Sequence, residues 1–222
     1  MPVALVIGAS RGIGREFARQ LLDEGWQVFA TARDAGAVAE LNAAGAAGIK
    51  LDVTQPESLA ALGWQMDGVA LDLVLYVAGV YGPRIGPTQS PGAADFDLVM
   101  HTNVLGAIQA VPLLAPMVEA ADGRFVFISS GMGSIGGLQS GDGWLYRASK
   151  AALNMVVRAA AFEYARITMI TMSPGWVKTD MGGVDAPIGV EQSVAGMLRA
   201  IGSTTRADSG SFINHEGNIV PW

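Results

Sequence analysis

Cysteine is absent from the 222 residues, which removes disulfides, thiolate metal sites and a cysteine nucleophile from consideration. Histidine is nearly absent. His101 and His215 stand alone and read as structural or surface residues, and no His/Asp/Glu group has metal-ligand spacing, so no metal is expected. Charge is also scarce: charged residues make up 15% of the chain, against a usual value of about 25%. Some apolar surface is therefore expected to be covered by another subunit. Basic residues number 14 against 20 acidic ones, for a net charge of −6, which argues against non-specific nucleic-acid binding. Two well-placed basic side chains are still enough to hold a phosphate. Long apolar runs are missing as well. The stretch MPVALVIGAS has no basic region and soon meets a glycine, so it reads as a first strand and not a signal peptide. VALDLVLYVAGVYG is broken by Asp72 and glycines short of a membrane span. A cytoplasmic protein without a membrane span is the expectation.

What the chain does contain is an alternation. Short Val/Ile/Leu/Phe runs at 3–7, 27–32, 48–53, 71–79, 124–130, 167–175 and 209–214 take turns with Ala/Leu-rich segments of helical period. The longest of these segments are expected as helices over 95–118 and 145–164. Near-continuous apolar strands suit a sheet covered on both faces, and strands alternating with helices imply right-handed βαβ crossovers. With no repeat, linker or charge block, residues 1–222 read as one α/β domain. Its sheet is doubly wound, mainly parallel and Rossmann-like, with helices on both faces.

Directly after the first strand comes VIGASRGIGREFA, with Gly8, Gly12 and Gly14 at the opening of the first helix. Unpaired N–H groups and the positive end of the helix dipole suit a pyrophosphate there, and glycines let the backbone approach it. The second strand ends FATARD. Ala32 takes the place where an acid would hold the ribose of NAD, while Arg33 follows it and Arg11 lies close by, so NADP(H) is favoured. Asp34 leaves NAD(H) as the alternative.

YRASK places Tyr146 and Lys150 four residues apart, hence on one face of a helix. A phenol titrates ordinarily near 10, and an adjacent ammonium is expected to lower that value. Tyr146 then becomes an acid–base group able to protonate a carbonyl oxygen or to accept a proton from an alcohol. Lys150 could also hydrogen-bond a ribose hydroxyl.

The glycine triplet, YVAG after the fourth strand, ISS closing the fifth, YRASK, and SPGWVKTD occur in order along nearly the whole chain. Together they resemble the short-chain dehydrogenase/reductase family, in its single-domain form. SSGMGSIGG, GDGWLYRASKAALNM, PGWVKTDMGG and the terminal PW are more narrowly similar to C-factor-like and sniffer-like carbonyl reductases. The resemblance implies an NADP(H)-dependent carbonyl reductase acting on a small-molecule carbonyl or alcohol, assembled as a homodimer or homotetramer through the two long helices. A nucleotide-binding regulatory protein on the same fold is the alternative. Four catalytic positions are implied: Ser130 on the substrate oxygen, Tyr146 as acid–base, Lys150 as modulator of its pKa, and Asn103 in a proton relay. Ser130 is preferred to Ser129 by its spacing to Gly133. The nucleotide is assigned to Gly8, Ser10, Arg11, Gly12, Ile13 and Gly14, with Arg33 at its phosphate. Asp52 and Val53 fall at the adenine, Ala78 and Gly79 near the ribose, and Tyr146, Lys150, Pro174, Gly175, Val177 and Thr179 towards the nicotinamide. Met132, Trp144, Trp176 and Met181, joined by Tyr81, would line an apolar substrate pocket.

Three departures from the family pattern carry consequences. Ile7 replaces a threonine that steadies the glycine loop, and YVAG replaces NNAG, so both neighbourhoods are expected to be loosened. The interval from Ser130 to Tyr146 is long, implying an enlarged loop over the substrate. The glycine-rich segment KTDMGGVDAPIGVEQ implies an open, mobile lid.

Overall fold

The alternation of strands and helices builds one layer of sheet between two layers of helix. In the computed structural model, which describes residues 1–222, the strands are β1 (Val3–Ile7), β2 (Gln27–Ala32), β3 (Ala47–Lys50), β4 (Leu73–Tyr76), β5 (Arg124–Ile128), β6 (Thr168–Ser173) and β7 (Phe212–Asn214). They form a seven-stranded sheet in the order β3-β2-β1-β4-β5-β6-β7, parallel throughout. The helices are α1 (Gly12–Asp23), α2 (Ala35–Ala43), α3 (Pro56–Gln65), α4 (Ala93–Met100), α5 (Gly106–Ala120), α6 (Trp144–Glu163) and α7 (Val190–Ser203).

Alternate strand residues serve opposite faces, as the two-residue period of a strand requires. Leu5 and Ile7 of β1, with Phe125 and Phe127 of β5, join the core under α3, α5 and α6. Ala4 and Val6, with Val126 and Ile128, join the core under α1, α2 and α7. Strands β1, β4 and β5 are apolar along nearly their whole length because both faces are covered. The chain order reverses between β1 and β4, and such a switch point opens a crevice at the carboxyl ends of the strands.

Several expected elements differ in detail. The third and fourth strands are shorter than 48–53 and 71–79, because Leu51 to Val53 and Val77 to Gly79 turn out of the sheet into that crevice. The helix expected over 95–118 runs instead from Ala93 to Ala120, interrupted by one π-helical turn at His101–Leu105. This stretch is the one helix long and apolar enough to cross a membrane, with 56% of its most apolar window buried; Val99, Ala107, Ala110 and Leu114 face the sheet and its neighbouring helices.

Candidate active site

A cleft of about 450 Å³ runs along the carboxyl ends of the strands. At one end lies the glycine loop. Gly8 has φ +91° and touches Ala78, so that a side-chain carbon would come within 2.8 Å of the Ala78 backbone. One on Gly14 would collide with the Gly8 carbonyl. The loop is not loosened by Ile7: the Gly8 N–H donates to the Thr31 hydroxyl at 3.0 Å, and Ala9 N–H donates to the Thr31 carbonyl at 2.7 Å. Support arrives from β2 instead of from within the loop. Ser10, Gly12 and Ile13 line the same end, and α1 begins there with no side-chain cap on its first N–H groups.

At the end of β2, Ala32 and Arg33 line the cleft. Asp34 is directed elsewhere, since its carboxylate accepts from the Ala37 N–H at 3.0 Å and caps α2. Arg11 pairs with Asp180 at 3.0 Å, both largely exposed, whereas Arg33 has no ion-pair partner. Asp52 accepts from the N–H and hydroxyl of Thr54 and borders the cleft beside Val53. Ala78, Gly79, Pro174 and Thr179 line it further along. Gly175 and Val177 do not. Gly175 makes the turn at φ +82° against Ile188 and His215, and Val177 is buried in a bridge to Ile188. Thr102 joins the cleft although its sequence context gave no hint of it, and its buried hydroxyl has no partner.

The far end holds the catalytic candidates. Asn103 lies in the π turn, a distortion that recurs at functional sites. It is fully buried, its Oδ1 accepts from Val80 N–H at 2.8 Å, and its amide donates to the Val80 carbonyl and the Ser149 hydroxyl. Nor does YVAG weaken this region. The Tyr76 hydroxyl donates to the Thr102 carbonyl at 3.2 Å, while its ring stacks on Phe127 of β5. The two serines separate by role: Ser129 is buried and donates to Asn154 at 2.6 Å, leaving Ser130 beside the Tyr146 phenol. Ser130 also accepts from the Met132 N–H.

Tyr146 and Lys150 are buried on the same face of α6, at 6% and 3% exposure. The expected lowering of the phenol by the ammonium is not what this site produces. Burial pushes Tyr146 up to about 12, the Ser130 hydroxyl offsets part of that rise, and the Tyr81 phenol adds to it. The reason is geometric. Lys150 Nζ donates to the Ile128 carbonyl at 2.8 Å and stands 5.7 Å from the Tyr146 ring centre, while burial brings its own value down to about 8.

The four proposed substrate-lining side chains are not gathered into one cavity. Met181 reaches the cleft, but Trp144 and Trp176 are exposed, the latter donating to the Gly182 carbonyl at 2.8 Å. The long interval before Tyr146 does not leave open space, for it folds onto the loop after β4, with Gly143 N–H donating to the Ile85 carbonyl at 3.1 Å. The lid is likewise tethered by Arg11 to Asp180 and by Arg84 to the Met181 carbonyl. Exposed loop-to-loop contacts thus hold the glycine-rich segment against its neighbours.

Known proteins share this sequence pattern and fold. A sequence profile of the family described as short chain dehydrogenase matches residues 2–186. The 1-hydroxy-2-glutathionyl-2-methyl-3-butene dehydrogenase of Rhodococcus sp. (strain AD45) is 33% identical over 234 residues, covering all of both chains. The C-signal protein of Myxococcus xanthus is 38% identical over 132 residues, 58% of this chain and 80% of its own. Among solved structures, an NADPH-bound carbonyl reductase from chicken fatty liver superposes with a TM-score of 0.90 at 33% identity, over the whole of both chains. On sequence and fold alike, the chain belongs to the short-chain dehydrogenase family and is an oxidoreductase of the C-factor-like and sniffer-like type.

Proposed function

We propose that the protein uses NADP(H) to move hydride between the nicotinamide and an apolar or aromatic carbonyl or alcohol compound. The observation that carries this reading is one cleft with an unpaired arginine at one end and the buried Tyr146–Lys150 pair at the other, with Ser130 beside the Tyr146 phenol. Arg33 is free, Ala32 offers no acid and Asp34 is committed to its cap, so the ribose end suits a 2′-phosphate. The residues present fit such a nucleotide. Side chains are missing at Gly8 and Gly14, where backbone must come close, and the Thr102 hydroxyl waits without a partner. The NADPH carried by the chicken carbonyl reductase supports the same assignment.

The bound nucleotide supplies the hydride; the chain supplies binding and proton control. Asp52 and Val53 meet the adenine, Ala78 and Gly79 the ribose, and Pro174 and Thr179 the nicotinamide end. Ser130 holds the carbonyl oxygen. Tyr146, kept protonated by burial, gives that oxygen its proton. Lys150 stabilises the phenolate left behind and holds a ribose hydroxyl. Gly79 leaves a gap flanked by Asn103 Oδ1 at 3.3 Å and Lys150 Nζ at 3.4 Å from where its side chain would begin. A water there would return the proton to Tyr146 through Lys150. Exposed Phe96, Leu98, Ile108, Met155 and Phe162 on α4, α5 and α6 support pairing as a homodimer or homotetramer.

The test is NADPH consumption with a panel of aldehydes, ketones and quinones, with NADH in parallel. Turnover preferring NADPH supports the reading. Binding of NADPH without any turnover supports a regulatory role instead, and failure to bind either nucleotide overturns both.

A further inference from the structure

Tyr81 lies in the loop between β4 and α4, and its ring stacks on that of Tyr146, with centres 4.6 Å apart and planes inclined by 19°. The Arg84 guanidinium lies over the same Tyr81 ring at 4.5 Å and donates to the Met181 carbonyl at 2.6 Å. The Tyr81 hydroxyl rests against Gly143, whose φ is +66°. A side-chain carbon built on Gly143 would lie 2.3 Å from that hydroxyl and 3.1 Å from Met132 Cε. Tyr81 therefore occupies the space enclosed by Met132, Gly143 and Tyr146. The cleft ends at Tyr146 and Met181, and neither Ser130 nor Met132 opens onto it. A carbonyl oxygen bound to both Ser130 and Tyr146 needs the room that this ring now fills.

We infer that Tyr81 plugs the substrate side of the site: it stands in for the substrate and must be displaced by the compound that reacts. This rests on the carbonyl–alcohol reading above. Displacement gives up an aromatic stack and a cation–π contact, so the apparent affinity of any substrate is reduced by the small fraction of protein with Tyr81 turned out. Flat conjugated carbonyl compounds recover the lost stack on Tyr146. Short aliphatic aldehydes do not.

The experiment compares wild type, Tyr81→Ala and Gly143→Ala, using menadione as the flat carbonyl and propanal as the short one. Gly143→Ala evicts the Tyr81 ring without deleting it. Both variants are expected to lower KM about tenfold for menadione and for propanal alike, with NADPH affinity unchanged, because the fraction of protein with Tyr81 turned out limits both. Calorimetric binding of menadione to the NADP⁺-loaded protein reads the same displacement without turnover, and is expected to tighten about tenfold in both variants. Unchanged or weakened menadione binding in Tyr81→Ala overturns the inference, since Tyr81 would then be a wall and not a plug. Absence of turnover in every variant counts against the carbonyl–alcohol reading alone, because the binding measurement still decides for or against Tyr81.

Discussion

The two ends of the cleft treat their polar groups in opposite ways. At the glycine loop donors are left free: α1 has no side-chain cap, and Arg33 has no acidic partner. Arg11 is engaged only by an exposed carboxylate, a surface pair worth at most about 1 kcal/mol. At the Tyr146 end nearly every polar atom is spent inside the protein, with Asn103 on Val80 and Ser149, Ser129 on Asn154, and Lys150 on Ile128. The first end is shaped to be completed by a ligand. The second is assembled in advance, which suits chemistry that depends on fixed geometry.

The difference can be broken most severely at Tyr146. Replacing it with phenylalanine removes the proposed proton donor while keeping the ring, and is expected to lower kcat about 10²- to 10⁴-fold. NADPH binding measured by fluorescence should be unchanged. At the opposite end, Arg33→Ala is expected to weaken NADPH by roughly ten- to a hundredfold, the worth of a hydrogen bond between charged groups. NADH affinity should hold, and calorimetry with both nucleotides separates the two.

Lys150→Met sharpens the contrast between binding and stability. Lys150 falls to about 8 in the folded protein from 10.5, so between those values the unfolded chain binds more protons and stability rises with pH. Below pH 8 the full cost of the buried ammonium is present, on the order of 3 kcal/mol. The methionine variant should therefore melt roughly 5 °C or more above wild type at pH 7, with the gain shrinking as pH passes from 8 towards 10.5. Its reductase activity should be lost, and wild-type reduction should decline above about pH 8 as the ammonium loses its proton. The smallest expected effect is at Tyr76. Phenylalanine there strips the hydrogen bond to Thr102 and should cost about 1 kcal/mol, seen as a fall in Tm of about 2–4 °C.

What could be read from the chain follows the same division. The glycine loop, the Tyr146–Lys150 pair and the strand alternation are local patterns, decided by residues within one turn or one strand. Arg33 and Asp34 were legible as neighbours, but only the fold shows Asp34 spent on the α2 cap. The compensations were not legible because they join distant positions. Thr31 replaces the support that Ile7 cannot give, and Tyr76 ties β4 to the π turn, where Gly106 leaves room for its hydroxyl. The π turn itself has no sequence signature in HTNVL. Tyr81 against Tyr146, and Gly143 against Ile85, arise where two loops meet, and no periodicity encodes such a meeting. The Tyr146 shift runs opposite to the sequence expectation for a related reason: spacing gives proximity to Lys150, whereas burial, which dominates, is a property of the whole fold.

The proposed role of Tyr146, proton donor at the end of an NADPH cleft, carries the most weight. Stopped-flow reduction of menadione by NADPH-loaded protein in a single turnover, wild type against Tyr146→Phe, tests this most directly. Equal NADPH affinity with hydride transfer slowed at least a hundredfold in the variant is the predicted result. Equal rates in the two proteins would contradict it.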